Sequence, residues 1–154
     1  MKYVKFDDNT GAYEWDPYFE YLRTAKDRFP AELFAYASSW NHYSLDSRDS
    51  LHDSWLQTVQ LTGGIGGAGV EAIQLEFLGA CHDRLHLLSY SGVKEFAIRL
   101  AGAPGAGSRD LLVHEFRAEE DAFVHELLFA EQQSITIKFD SFAAKQQRLP
   151  SKPD

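Results

Sequence analysis

From Leu51 to Phe139 the side chains keep a two-residue rhythm, and that rhythm restricts the fold more than any other feature of the chain. Trp55, Gln57, Val59 and Leu61 alternate with Leu56, Thr58 and Gln60, and Ile73, Leu75 and Phe77 alternate with Gln74 and Glu76. Successive residues of a strand point to opposite faces, so this spacing fits strands with one buried side. Similar stretches hold Leu85 and Leu87; Phe96, Ile98 and Leu100; Leu112 and Phe116; Phe123, Leu127 and Phe129; and Ile135, Ile137 and Phe139. Six or so strands are expected. Their breaks fall at Gly63 to Gly69, Gly79, Ser91 with Gly92, and Gly102 to Gly107. These are too short for the crossover of roughly a dozen residues that parallel neighbours need, so the sheet should be antiparallel.

A helix competes for residues 70–88, because Val70, Ile73, Phe77, Cys81, Leu85 and Leu88 also form a stripe at helical spacing. That helix would have to cross Gly79 without a cap, and the strict alternation around Ile73 favours the strand.

Ahead of Leu51 the period is helical. Asp16 and Pro17 suit a helix entry, and Tyr18, Leu22, Ala25 and Phe29 fall on one stripe with Glu20, Arg23, Lys26 and Asp27 outside it. Pro30 ends that helix and opens a second over Ala31 to Ala37. Asn41 to Ser50, rich in Asn, Ser and Asp, reads as a polar connection. Lys2 to Phe6, followed by the turn formers Asp7 to Gly11, reads as a short first strand.

With 154 residues, 44% of them apolar, the chain fits one domain with a packed core. The expected class is α+β, an N-terminal helical region packed on an antiparallel β-sheet of about six strands. Residues 1–142 form the expected domain, and residues 143–154, with Pro150 and Pro153, a polar flexible tail.

A formal charge of -8 without a Lys/Arg cluster opposes nucleic acid as a partner and permits a basic protein partner. Cys81 stands alone, which leaves no intramolecular disulfide and fits a reducing compartment. Met1 to Asp8 lacks the apolar core of a secretory signal, and no apolar run approaches the roughly 18 residues of a membrane helix. The reading is cytoplasmic, with no membrane association.

Two cofactor signatures fail on context. Gly64, Gly66 and Gly69 have dinucleotide-like spacing, and Tyr90 and Lys94 have the spacing of the active-site pair of short-chain dehydrogenases. A dinucleotide turn must open a helix toward the pyrophosphate, whereas the residues after Gly69 alternate like a strand. Barely one βα unit fits between the two motifs. Val70 and Glu71 also stand where a P-loop has Lys and Ser/Thr. No cofactor is expected.

Imidazole and carboxylate pairs remain: His52 with Asp53, and His82 with Asp83. Neighbours on a strand face opposite ways, and His82 and His86 would lie roughly 13 Å apart along one, so neither arrangement holds an ion locally. A metal site assembled from several strands, His52, His82 and His114, stays open as the basis of a small metal-dependent hydrolase. Otherwise Asp53 and Asp83 cap backbone N–H groups at turns and the histidines sit half buried. Trp15, Trp40 and Trp55 are read as packing residues.

Leu51-His52-Asp53-Ser54-Trp55-Leu56, Cys81-His82-Asp83-Arg84 and Tyr90-Ser91-Gly92-Val93 resemble small uncharacterised bacterial proteins, some similar to immunity proteins of polymorphic toxin systems. The likeness covers roughly Asp16 to Phe142. It implies a non-catalytic protein that binds another protein, with His52, Asp53, Trp55, His82, Asp83 and Arg84 as candidate binding residues. An acidic surface would suit a basic partner through steering.

Overall fold

The computed structural model describes residues 1–67, 69–101 and 110–150. The expected α+β class with antiparallel pairing holds, but the strands do not form one sheet. β3 (Trp55–Gly63), β4 (Val70–Leu78), β5 (Arg84–Ser91) and β10 (Ser141–Arg148) make one four-stranded sheet, ordered β10-β5-β4-β3. β6 (Glu95–Arg99), β7 (Leu111–Ala118), β8 (Phe123–Phe129) and β9 (Ser134–Phe139) make a second, ordered β6-β9-β8-β7. A hairpin of β1 (Lys5–Asp7) and β2 (Ala12–Glu14) stands apart from both.

The two large sheets pack face to face. Phe77 stacks on Phe129 with ring centroids 6.2 Å apart, and Tyr90 meets Phe139 at 5.1 Å. Ile73, Leu75, Phe77, Ile135, Ile137 and Phe139 are all buried, as their alternation predicts. In β5 the inward face is the other one: His86, Leu88 and Tyr90 are buried, while Leu85 and Leu87 are only partly covered. Both parities of that strand carry leucine, so periodicity alone could not choose its inner face.

Residues 70–88 contain strands and a turn, which settles the competition with a helix. β4 starts at Val70, and the glycine-rich stretch before it joins two hairpin strands, with the Gly64 N–H on the Gly69 carbonyl at 3.0 Å. Ala143 to Arg148, expected in a flexible tail, are strand residues paired with β5. Almost all of β10 is exposed, with only Phe142 partly buried, and a solvent-facing edge strand leaves little alternation to read. Residues 151–154 lie outside the described residues, as does the whole Gly102 to Gly107 break.

α1 (Asp16–Ala25) and α2 (Ala31–Ser38) form where proline and the apolar stripe place them, joined by a 3-10 turn over Lys26–Arg28. Tyr18, Leu22, Ala25 and Phe29 are buried as a set. Asp16 makes no side-chain cap and is itself the first helical residue. The helices lie along the open edge of β7, not on a sheet face. The Phe116 N–H donates to the Tyr18 hydroxyl at 2.9 Å, the Ala118 N–H donates to the Tyr21 hydroxyl at 2.8 Å, and Arg28 donates to the Ala118 carbonyl at 2.7 Å. Tyr36 of α2 then bridges the sheets, 5.9 Å from Phe116 and 5.0 Å from Phe142. Helical edge protection of this kind replaces the missing neighbour strand. No described helix is long and apolar enough to cross a membrane.

Candidate functional site

The six sequence-selected residues come together where the connection over residues 43–54 meets the β4–β5 turn. They do so as three separate groupings. Asp83 accepts a hydrogen bond from Arg48 at 2.7 Å and from Arg84 Nε at 3.1 Å, and Arg84 Nη1 reaches Asp49 at 2.8 Å and Gln146 at 3.2 Å. Hydrogen bonds from Arg84 and then Arg48 hold the Asp83 carboxyl down to about 2. This network ties the polar connection to the sheet; the Arg84 guanidinium is nearly buried and each of its three nitrogens donates a hydrogen bond.

His52 and Asp53 form the second grouping. His52 Nδ1 lies 2.7 Å from the Leu112 carbonyl, to which it must donate, and its Nε2 lies 3.3 Å from Asp53 Oδ1. His52 therefore closes another outward-facing group on the β7 edge. Asp53 has a left-handed backbone (φ 59°) and its N–H donates to the Leu111 carbonyl. In the third grouping, the His82 ring sits 4.5 Å from Trp55, and His82 also has a left-handed backbone (φ 54°), with its N–H on the Gly79 carbonyl at 2.7 Å.

These contacts correct two expectations. Neither Asp53 nor Asp83 caps a backbone N–H through its carboxylate; one faces His52 and the other two guanidinium groups. Trp55 and Trp40 are 44% and 52% exposed, so they are not core residues. Trp55 opens an edge strand and Trp40 lies in a surface 3-10 turn, where no further layer covers them. Trp15, half buried, does pack, 4.8 Å from Tyr43.

The metal alternative finds no geometric support. Among the described residues no group of three His, Cys, Asp or Glu side chains is placed to hold an ion. His114, the third candidate, is sealed in the core with both ring nitrogens engaged. The rejected dehydrogenase pair is also split, since the Tyr90 hydroxyl points into the core toward His125 while Lys94 pairs with Asp121 and Asp140 at the surface.

Beside these groupings, Leu45, Asp46, Arg48, His52, Asp53 and Cys81 line a depression of about 160 Å³. Asp46 and Asp53 are exposed, and so is Leu45. Cys81 is exposed and makes no hydrogen bond to a histidine among the described residues. The depression therefore presents carboxylates and apolar surface beside the Arg48 guanidinium and the His52 ring, with no nucleophile–base pair among the described residues.

Two buried polar constellations escaped sequence reasoning. The first is a chain of rings between the sheets: Tyr90 hydroxyl to His125 Nδ1 at 2.7 Å, His125 Nε2 to His114 Nδ1 at 3.0 Å, and His114 Nε2 to the His42 carbonyl at 3.4 Å. A carbonyl only accepts, so His114 carries its proton on Nε2, accepts at Nδ1 from His125 Nε2–H, and His125 accepts at Nδ1 from Tyr90. Every proton has one place with both rings neutral. Burial pushes both histidines down, His114 to about 3 and His125 well below its ordinary value. The signal was present, because His125 shares the parity of Phe123, Leu127 and Phe129.

The second is Glu115, fully buried on the opposite face of β7. Its Oε1 accepts the Lys2 N–H at 2.6 Å and a bond from Arg117 at 2.7 Å, while its Oε2 accepts the N–H groups of Tyr3 and Val4, each at 2.9 Å. Arg117 also binds Glu126 at 2.6 Å. The segment expected as a first strand is thus clamped on a carboxylate, and the strand begins only at Lys5. Nothing in the sequence around Glu115 announces this.

Compared with protein-family models and with curated proteins, the chain matches none.

Proposed function

We propose that this chain is a non-catalytic protein-binding module of the immunity type, with a basic protein as its partner. The observation that carries the reading is Trp55, held by His82 and left 44% exposed beside the depression that carries Asp46 and Asp53. A partly exposed indole next to exposed carboxylates suits an anchor for a partner's apolar and cationic side chains. The other titratable groups nearby support the same reading, since Asp83, Asp49, Arg48 and Arg84 neutralise one another. The net charge of -8 adds long-range attraction for a cationic surface.

The test is co-purification with the product of the adjacent reading frame. Wild-type chain retains that product and loses it with rising salt, whereas Trp55→Ala and the Asp46→Asn/Asp53→Asn pair fail to retain it while keeping the wild-type circular dichroism. Retention by both variants would overturn the reading. So would a stoichiometric metal ion in the purified protein that disappears on substitution of His52 or His82.

A further inference from the structure

Four strands form the outer edges of the two large sheets: β3, β10, β6 and β7. Three of them are guarded. β10 carries Lys145 and Arg148, and β6 carries Glu95 and Arg99. β7 is closed by the Tyr18 and Tyr21 hydroxyls and by His52. β3 has none of these devices. Its nine residues, Trp-Leu-Gln-Thr-Val-Gln-Leu-Thr-Gly, contain no charge and no proline in a chain of net charge -8.

Among the described residues only the start of β3 is bridged, Trp55 to Asp110, and register shifts separate Leu56 from Thr58 and Thr62 from Gly63. Between those shifts, Thr58 to Thr62 is a regular segment whose outward backbone groups have no partner among the described residues. A neutral, regular, unguarded edge is a template for another strand.

We propose that two copies of this chain pair through β3, antiparallel about a two-fold axis at Gln60. The occupant follows from the strand's own sequence. Centred on Gln60, the pairing sets Thr58 opposite Thr62 and Val59 opposite Leu61, with Gln60 facing its symmetry mate. Every cross-strand pair then matches hydroxyl with hydroxyl, apolar with apolar, or amide with amide, and no like charges meet. Leu61, 46% exposed in the single chain, is covered by the second copy. The charged β10 edges lie at the far ends of the resulting eight-stranded sheet, so the assembly closes as a dimer instead of growing into a filament.

Sedimentation velocity across a concentration series tests this. Wild-type protein should sediment at twice 17.4 kDa at high-micromolar concentration and dissociate on dilution. Gln60→Lys and Gln60→Glu each place like charges on the axis and should sediment as monomers, while an equimolar mixture of the two recovers the dimer. Gln74→Lys, on β4 directly beside Gln60 but away from the edge, should stay dimeric and serves as the folding control. A monomeric wild type, a dimer indifferent to Gln60→Lys, or open-ended association would each overturn the proposal.

Discussion

Gly92 and Asp140 occupy the same corner of the molecule: a Cβ built on Gly92 would stand 2.5 Å from Asp140 Oδ2, and the glycine backbone is left-handed, φ 61°. At this corner the chain passes between the two sheets twice, from β5 to β6 and from β9 to β10, and the Asp140 N–H donates to the Ser91 carbonyl at 3.1 Å. Ser91 and Gly92 therefore mark a change of sheet, not the hairpin that a short glycine break suggests.

Gly92→Ala should destabilise the fold by about 3 kcal/mol, because it adds a left-handed backbone penalty to a steric overlap. Urea unfolding measures it. Adding Asp140→Gly removes the atoms in the way and should recover part of the loss, leaving the backbone penalty. Additive effects of the two substitutions would show that the overlap is relieved elsewhere.

Stability should decline from pH 6.5 toward pH 4. Burial lowers His114 to about 3, His86 to about 4, and His125 well below 6.5, so the unfolded chain takes up protons at these sites before the folded chain does. Their contribution is complete above pH 6.5 and is lost as the pH falls, by up to about 1.4 kcal/mol per pH unit for each group. The lowered carboxyls Asp83 and Asp121 add acid sensitivity only near and below their ordinary value of 3.8. A urea midpoint that stays flat between pH 6.5 and 4.5 would contradict the buried neutral histidines.

His86 differs from the other two because its Nε2 is buried and has no hydrogen-bond partner among the described residues. Replacing an unsatisfied polar ring by an apolar side chain removes a desolvation cost, so His86→Leu should change stability at pH 7 by less than about 1 kcal/mol. The same variant should flatten part of the acid slope. A large loss at pH 7 would show that the ring makes an interaction that matters.

Glu115→Ala should cost about 3–5 kcal/mol, since it leaves Arg117 without one of its carboxylates and strands the N–H groups of Lys2, Tyr3 and Val4 in a buried site. Hydrogen exchange localises the effect: the amides of residues 2 to 4 should exchange faster than those of β4 and β5. Uniform acceleration throughout the chain would mean that the clamp is not local.

The amino-acid sequence by itself determined the local elements. Alternation around Ile73, Leu75 and Phe77, and around Ile135, Ile137 and Phe139, sets strands with one inward face, and Pro17 and Pro30 set where the two helices begin. It also named His52, Asp53, Trp55, His82, Asp83 and Arg84 as candidate binding residues, but neither their proximity nor their pairings. Those were decided by the tertiary structure. Period-two spacing is the same for a strand in either sheet, so the split into two sheets, the corner at Gly92 and Asp140, and the strand status of the polar β10 depend on contacts far apart in the chain. The same distance hides the partners of polar side chains. Tyr90 meets His125 only once the two sheets have packed, and Glu115 meets Lys2 only once the N-terminal segment has packed on the other face of β7, because hydrogen bonds form between groups that burial brings together, at separations no sequence window spans.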